Sequence, residues 1–424
     1  MERVRLMLRL AFRNLRRQAR RSLLTAAAMV IGGGLLIFSV SLGDGTHEDW
    51  IESGVRMGSG HIAIQAPEYA VSRKIEDRLS TQSVAAVREG LRSPDIAESV
   101  LEVVPRLTTG GLASSPMGAR PVEVVGVDPV AEAGFSTLDE RVVEGRYLEP
   151  DDRLAAYVGA ELTEGLELRI GSRMVLTAQD AEGEISGQLV RVVGIFGTGI
   201  PEIDQRIVHI PLQTAGTWLR AEGAVTTVAV LVDRSRAVKR TAHHLEDELA
   251  APIAAGDLAV LTWQEAMPEL DAIVKVDDLG NYMFQGITFG IIALAIVNTI
   301  LMSVLYRHRE FGVLQALGFT PGQTGALVMA EGVVLTVLSG LLGIGLGLFV
   351  TWFFWRDGLD ISFTWQEDWT FSGVVLDPVI VPLFRAARVI QGLLFILFVG
   401  TLASLYPAYR ATRIDVAEAM KFER

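Results

Sequence analysis

The sequence has no cysteine among its 424 residues. This absence excludes a disulfide framework and a thiolate metal site, so any extracytoplasmic part must be held together by core packing alone. The sequence also lacks the G-x-x-x-x-G-K-[ST] loop that cradles nucleotide phosphates. The chain therefore cannot bind ATP through such a loop, and energy from ATP must come from a partner.

Motifs for metal binding and nucleophilic catalysis are missing as well. The histidines show no H-x-x-x-H or H-E-x-x-H spacing, and a solvated helix face explains the adjacent His243 and His244 better than zinc does. No Ser/His/Asp constellation can be assembled. We therefore expect no catalytic residue, no metal and no cofactor in this chain. The net charge of −12 argues against nucleic acid as a partner.

Long apolar runs dominate what the sequence does contain. Hydrophobic residues make up 50% of the chain and charged residues 21%, so the two kinds of sequence must be segregated. A membrane-spanning helix needs roughly 20 apolar residues. Four segments meet that criterion: residues 22–42, 283–306, 332–355 and 389–409. Four spans place both termini on the same side of the membrane.

The distribution of arginine indicates which side that is. Arginines are concentrated before the first span, and short cationic flanks mark the cytoplasmic side. We therefore expect residues 1–21 and the tail 410–424 to be cytoplasmic. Arg385 and Arg388 oppose this orientation, but the loop that holds them, residues 356–388, is also rich in acidic residues and is assigned to the outer side.

Three readings remain open for the start of the chain. Residues 1–21 are either a basic helix lying in the inner membrane interface or simply a positive flank. A cleaved signal peptide of the twin-arginine type, at Arg20 and Arg21, is the other reading of this segment. The apolar run is longer than a usual signal peptide's, which favours a retained first span.

A soluble insert, residues 43–282, lies between the first and second spans and is large enough for its own core. Stretches rich in valine and isoleucine predict strands at residues 61–65, 121–127, 174–178, 189–196, 206–212 and 226–232. Helices are expected at residues 72–91, 235–249 and 263–279. Strands and helices without a regular β-α-β period predict an α+β domain. The last helix is either a stalk leading into the second span or an ordinary packing helix.

Residues 307–331 form a short charged connection between the second and third spans. Apolar residues recur there at helical spacing: Phe311, Val313, Leu314 and Leu317. Charged residues are expected to keep its start in water: Arg307, Arg309 and Glu310. One helix is expected to end at Gly318. A second begins with a capping box and a proline at its first position: Thr320, Pro321 and Gln323.

This connection resembles the coupling element of the FtsX-type permease domain. The resemblance rests on a charged cluster, an apolar helix, the "ALG" corner and "EG" before a glycine-rich span. The stretches SGHIAIQAPEY (residues 59–69) and GIFGTGIPEIDQRIVHIPLQTA (residues 194–215) are similar to segments of lipoprotein-releasing permeases. The ending LYPAYRATRIDVAEAMKFE is similar to the closing pattern of the same family. The resemblance covers nearly the whole chain. The family that it indicates includes the lipoprotein-releasing (LolC/LolE) and macrolide-exporter (MacB) permeases.

The resemblance implies a four-span ABC transporter permease with a MacB/Lol-like α+β domain in the periplasm and both termini in the cytoplasm of a bacterium. It implies a separate ATPase in two copies, which carries the ATP and Mg, and a second permease, either this chain or a paralogue. Lipid, a lipoprotein or another amphiphile, and an extracytoplasmic carrier or adaptor are the other implied partners. One lipoprotein-releasing permease has a long hairpin that binds the soluble carrier. This sequence has no counterpart of it, since the only candidate loop is the short segment 197–205.

The site residues that the resemblance implies are those of the connection. Residues expected to contact the ATPase are Arg307, Arg309, Glu310, Phe311, Leu314, Leu317 and Gly318. Asn298 and Glu331 are polar exceptions in or near the spans, and such groups usually face protein or a cavity. Asn298 is expected to make an interhelical hydrogen bond. Glu331 either couples the spans, or simply reaches water or caps a neighbour.

Glycines within the spans are expected to serve helix packing. Residues Gly340, Gly343, Gly345 and Gly347 lie inside an apolar span with no strand before them, which argues against a dinucleotide fingerprint. Close approach of helices through small residues is the better explanation, there and at residues 32–34.

Two other functions of this fold remain open from the sequence. One is an FtsX-like regulator, whose outer domain activates an extracytoplasmic enzyme without moving any cargo. The other is a module that senses antimicrobial peptides or confers resistance to them. The large insert favours transport.

Overall fold

The computed structural model describes residues 13, 19–199, 201–233, 237–360, 370–371, 374–375 and 379–414. The predicted interfacial segment 1–21 lies almost entirely outside this part of the chain, as does the tail after residue 414. The described residues divide into two compact units. The membrane unit comprises residues 1–47, 276–362 and 378–424, and the soluble unit comprises residues 48–275 and 363–377.

Helices and strands are numbered in chain order. The helices are α1 (Ala19–Met57), α2 (Tyr69–Ser72), α3 (Thr81–Gly90), α4 (Pro94–Ala97), α5 (Pro129–Phe135), α6 (Ala160–Gly165), α7 (Pro201–Asp204), α8 (Leu212–Trp218), α9 (Val238–Glu248), α10 (Ala250–Ala254), α11 (Trp263–Ala266), α12 (Pro268–Tyr306), α13 (His308–Ala316), α14 (Pro321–Trp355) and α15 (Ala386–Thr412). The strands are β1 (Ile62–Gln65), β2 (Val100–Ser115), β3 (Gly118–Val127), β4 (Val142–Gly145), β5 (Ala155–Gly159), β6 (Arg173–Gln179), β7 (Ile185–Phe196), β8 (Ile207–Pro211), β9 (Thr227–Val232), β10 (Ala259–Thr262), β11 (Leu359–Asp360), β12 (Thr370–Phe371), β13 (Val374–Val375) and β14 (Val379–Ile380).

By length and composition, four helices of the described chain can cross a membrane: α1, α12, α14 and α15. Each predicted span lies inside one of them. α14 and α15 pack along each other, and the shared core includes Leu36, Ile296, Val328 and Ile396. Because these helices meet lipid on their outer faces, many of their apolar side chains are exposed, as expected for a protein whose solvent is the bilayer.

Glycines bring α1 and α14 into backbone contact, as the sequence predicts. A Cβ atom added to Gly347 would lie 2.8 Å from the Cα atom of Gly34, and one added to Gly343 would lie 2.9 Å from the carbonyl oxygen of Val30. Gly345 is the exception, because its Cβ would meet no atom within 4 Å. Small residues therefore create this helix contact, and a larger side chain at Gly347 would separate the two backbones.

The soluble unit is built on a ten-stranded mixed sheet. Its strand order is β10-β1-β9-β2-β3-β8-β5-β7-β4, with β6 paired to β2 and β7. β3 and β8 are parallel, as are β5 and β7, while the other pairs in this sheet are antiparallel. One hydrophobic core gathers around β1 and β9, and another around β5, β6 and β8. The predicted α+β class is confirmed.

Each of the six predicted strands lies at an observed strand of the ten-stranded sheet, but the four other strands of that sheet escaped prediction: β2, β4, β5 and β10. The helix predicted over residues 72–91 is wrong in its first half, where a short 3₁₀ turn precedes α3. The helix predicted over residues 263–279 is interrupted at Met267, after which α12 runs from Pro268 through the second span.

Candidate functional site

The connection between the second and third spans, named here the interspan hairpin (residues 307–331), folds as the sequence predicts. α13 ends at Ala316, and Gly318 takes a φ of 102°, a conformation that glycine adopts without strain. The Thr320 hydroxyl accepts a hydrogen bond from the Gln323 amide at 3.3 Å. The Thr320 amide in turn donates to the Gln323 side chain at 2.9 Å. This reciprocal capping box starts α14 immediately after the corner.

Arg307 is buried, and the expectation that it lies in water is wrong. Its Nη1 atom donates to both carboxylate oxygens of Glu331, at 2.7 and 2.9 Å, and its Nε atom donates to Glu310 at 2.9 Å. The guanidinium also lies over the ring of Phe311, 4.8 Å from its centre. One side chain thus joins the start of α13 to the body of α14.

These contacts keep the Arg307 side chain protonated although it is buried. Burial would lower the pKa of Arg307, but the carboxylates of Glu331 and Glu310 outweigh that effect and hold the pKa above its ordinary value. Glu331 is itself buried, so it does not simply reach water. A second contact, from the Gln315 side-chain amide to the Thr324 hydroxyl at 3.4 Å, joins the same two helices.

The remaining residues of the hairpin divide into buried and exposed sets. Phe311 is fully buried in the core of the membrane unit, and Leu314 is half-buried against the same core. On the opposite face, Val313 is 41% exposed and Leu317 is 78% exposed. Arg309, Glu310 and Gly318 are exposed as well. An apolar stripe rimmed by charge therefore faces away from the protein's own core.

Polar residues in the second span behave differently from expectation. The interhelical hydrogen bond joins the hydroxyls of Thr299 and Thr25, which tie α12 to α1. Asn298, the adjacent residue, has an exposed side chain and makes no hydrogen bond to another residue in the described part of the chain. The hydrogen bond expected at Asn298 is therefore made by the next residue, Thr299.

In the soluble unit, the structure contains a buried ion pair that the sequence analysis missed. Arg106 on β2 forms hydrogen bonds with both carboxylate oxygens of Glu132 on α5. Its Nη1 atom donates to the carbonyl oxygen of Gly58, and its Nη2 atom, which also contacts Glu132, donates to that of Arg56, where α1 ends. Burial would raise the pKa of Glu132, but the Arg106 guanidinium outweighs it and holds that pKa below its usual range. Arg106 therefore caps α1 and fixes its end to the sheet.

A cleft of about 720 Å³ lies beside this ion pair and is lined by residues of β2, β3 and β8, by the end of α1 and by residues 266–273. His209 lines it and is fully buried, which lowers its pKa to about 4. Among the described residues, no group of three His, Asp or Glu side chains is placed to hold a metal ion. In the neighbouring loop, the Asp204 carboxylate accepts hydrogen bonds from the Thr198 amide and hydroxyl.

Two family models match the chain. The model of the MacB-like periplasmic core domain matches residues 22–248, and that of the FtsX-like permease C-terminal domain matches residues 282–416. The chain is 21% identical to an uncharacterized ABC transporter permease of Methanocaldococcus jannaschii over 97% of each protein. It is 22% identical to the lipoprotein-releasing system transmembrane protein LolC of Xylella fastidiosa, over 72% of this chain and 74% of that protein.

The periplasmic region of MacB from Actinobacillus actinomycetemcomitans is similar over 53% of this chain and 95% of its own, at 12% identity and a TM-score of 0.35. The macrolide export ATP-binding/permease protein MacB of Bdellovibrio bacteriovorus is 20% identical over 95% of this chain but only 59% of its own length.

Proposed function

Since the chain belongs to the family of ABC transporter permeases that join a MacB-like periplasmic core domain to an FtsX-like C-terminal domain, we propose that a separate ATPase drives it to extract an amphiphile, a lipoprotein or a lipid, from the outer leaflet of a bacterial inner membrane. Two copies of the ATPase carry ATP and Mg. The soluble unit is extracytoplasmic, and we place it in the periplasm with both termini in the cytoplasm.

The observation that carries this proposal is the exposed stripe of α13. Val313 and Leu317 are apolar, lie on one face and are left exposed by the described part of the chain. Exposed apolar side chains rimmed by charges are typical of protein-binding surfaces. We assign this stripe to the ATPase, with Arg309 and Glu310 at its rim. Phe311 and Leu314 support the stripe from the inner side.

The contacts of the interspan hairpin supply a route for coupling. The ion pair of Arg307 with Glu331 and the hydrogen bond of Gln315 with Thr324 join α13 to α14 on the side away from the stripe. A buried ion pair resists separation because each charge loses its partner in a poorly solvated site. A force on Leu317 would therefore be transmitted to the third span rather than absorbed within the hairpin.

A second permease is the other partner in this proposal, either a second copy of the chain or a paralogue. Exposed Asn298 lies on α12 among exposed apolar residues such as Ile291 and Leu294. A polar side chain at mid-span is costly in lipid unless protein covers it. We place the permease contact mainly on the first two spans, with Asn298 in it.

The cargo follows from the names of relatives, of which one is a lipoprotein-releasing protein and another a macrolide exporter. The loop at residues 197–205 is too short to form the extended hairpin that would catch a soluble carrier, so we leave the external carrier or adaptor unspecified. The competing function is an FtsX-like regulator of an extracytoplasmic enzyme. A ten-stranded sheet is more than such a regulator needs, which favours transport. A permease that senses antimicrobial peptides, or confers resistance to them, is the third candidate.

Reconstitution tests the proposal. The purified chain in proteoliposomes should hydrolyse no ATP until its partner ABC ATPase is added, and a lipoprotein should then leave the membrane in an ATP-dependent manner. A partner with its catalytic glutamate changed to glutamine is the matched control for contaminating hydrolysis. ATP hydrolysis by the chain alone would refute the proposal. Stable co-purification of a periplasmic hydrolase, with no cargo released, would replace it with the regulator.

A further inference from the structure

A cavity of about 210 Å³ lies within the membrane unit, between α1, α12 and α15. Its inner wall is apolar and includes Leu36, Ile37, Phe289 and Phe395. Gly286 forms part of the rim, and a Cβ atom added there would meet no atom within 4 Å. At Gly286 the cavity is therefore bounded by helix backbone, and the missing side chain leaves space for a narrow apolar ligand.

The polar side chains of the cavity are gathered at one end. Tyr282 and Gln285 precede Phe289 on α12, and Arg388 and Gln391 precede Phe395 on α15. Each pair therefore lies nearer than the phenylalanines to the N-terminal end of its helix. The cavity is polar at this end and apolar along the rest of its length, which is the shape of an amphiphile with one head group.

The polar end presents hydrogen-bond donors that the protein does not use. In the described part of the chain, the amides of Gln285 and Gln391 make no hydrogen bond to another residue, and neither do the terminal amino groups of Arg388. Asp44 lies on the other side of the guanidinium, with its Oδ1 atom 3.5 Å from Arg388 Nε. Asp44 therefore engages one edge of the guanidinium, while its two amino groups are left for a ligand that brings oxygen atoms.

We propose that this cavity holds an anionic phospholipid, with one acyl chain along Phe289 and Phe395 and its phosphate at Arg388. A guanidinium binds phosphate oxygens through charge-assisted hydrogen bonds, and two amides add neutral donors. The diacylglyceryl anchor of a lipoprotein has acyl chains but no phosphate, so the donors distinguish a bilayer lipid from the cargo. This inference goes beyond the proposed function, because the lipid stays in its site rather than being transported.

Native mass spectrometry of the delipidated full-length chain tests the site without any ATPase. Phosphatidylglycerol and diacylglycerol with identical acyl chains are titrated separately. We expect one phosphatidylglycerol to bind about tenfold more tightly than diacylglycerol, because only phosphatidylglycerol brings phosphate oxygens to Arg388 and gains one charge-assisted contact. Arg388→Gln should abolish that preference, whereas Arg356→Gln, an exposed arginine outside the cavity, should preserve it.

Filling the cavity provides the second arm of the experiment. Gly286→Leu should remove the bound lipid and Gly286→Ala should weaken it less, because both side chains enter open space and leave the fold intact. Gly290→Leu is the matched control, since Gly290 is also open but does not line the cavity. Monodispersity and Tm verify folding of each variant.

Unchanged phosphatidylglycerol binding in Gly286→Leu would overturn the proposal, and so would displacement of the lipid by equimolar diacylated lipopeptide. Because binding is measured without ATP, this result is separate from the reconstitution above. If the chain bound phosphatidylglycerol here but released no cargo, the lipid site would stand and the proposed transport function would be refuted.

Discussion

Arg307 and Glu331 are 24 residues apart in the sequence, and one guanidinium nitrogen lies within 2.9 Å of both oxygens of the carboxylate. Both side chains are buried, and the pair joins the start of α13 to α14, the helix of the third span. The coupling that we propose depends on this pair more than on any exposed charge.

Removing one partner of the pair should be costly. We expect Arg307→Ala or Glu331→Ala to lower the free energy of unfolding by about 3–5 kcal/mol, the usual penalty for breaking a buried ion pair from one side. The double variant Arg307→Met/Glu331→Leu should recover much of that stability and yet couple ATP hydrolysis poorly. Thermal unfolding in detergent and ATPase stimulation measure the two effects. Arg309→Ala is the exposed control and should change stability by roughly 0–1 kcal/mol; an equal loss there would contradict the assignment.

Leu317 is the best single test of the ATPase-binding stripe. Because the side chain is 78% exposed, Leu317→Asp should leave folding unchanged. In the complex it would bury an unpaired charge, a cost of several kcal/mol that should reduce association about a thousandfold. Pull-down of the ATPase and ATP turnover provide the readout. Leu314→Asp is the contrasting variant, since this half-buried residue should also lose thermal stability. Full assembly with Leu317→Asp would remove the stripe from the interface.

The glycine contact between α1 and α14 predicts a difference between two neighbouring positions. Gly347→Ala would bring a methyl group to 2.8 Å from the backbone of Gly34, whereas a methyl group at Gly345 meets nothing within 4 Å. We therefore expect Gly347→Ala to lower Tm by several degrees. Gly345→Ala should leave Tm unchanged or raise it, because alanine favours the helix by about 1 kcal/mol. Equal Tm values for the two variants would show that the helices separate freely.

Local signals predicted local structure well in this chain. The capping box of Thr320 and Gln323 was read from spacing alone, since all its atoms lie within four residues. Burial of Arg307 was missed because its partner Glu331 is remote in sequence, and a charged residue beside a span ordinarily faces water. Asn298 shows the same limit, because its position was predicted but its exposed side chain depends on how α12 packs.

The longest strand was missed for a related reason. β2 contains Pro105, Gly110 and Gly111, residues that usually interrupt strands. A Cβ atom on Gly111 would lie 2.6 Å from the Thr177 carbonyl oxygen, so close approach of β6 explains this glycine. Such a reason exists only once the two strands are paired. The burial of Arg106 in the same strand could not be predicted for the same reason. Its partners, Glu132 and the end of α1, are both remote from it in the sequence.

The orientation of the chain can be tested with single cysteines, because the native sequence has none. Arg309→Cys and Glu182→Cys both lie at exposed positions, one in the interspan hairpin and one in the soluble unit. An impermeant thiol reagent should label position 182 and not position 309 in spheroplasts, as the cationic flanks predict. Permeabilised cells serve as the control in which both are labelled. The opposite pattern in intact spheroplasts would invert the topology.

His209 should make the soluble unit less stable in mild acid. Burial lowers its pKa to about 4, whereas an unfolded histidine titrates at about 6.5. Between these values the unfolded chain binds a proton that the folded chain does not, so stability decreases as pH falls from 6.5 to 4, by roughly 3 kcal/mol in all. His209→Gln should flatten the dependence of Tm on pH across this window. An identical slope in the variant would assign the effect to another group, such as His61, whose pKa burial also lowers.

The backbone contact at Gly343 divides α14 into two unequal arms. With a rise of about 1.5 Å per residue, the helix extends about 33 Å from this contact to Pro321 and about 18 Å to Trp355. A small rotation about the contact would act as a lever of about two to one. A shift of 4 Å at the Pro321 end would emerge as a shift of about 2 Å in the opposite direction at Trp355. A smaller displacement at the Trp355 end is accompanied by a larger force there. A larger force suits the extraction of a cargo that the bilayer holds tightly.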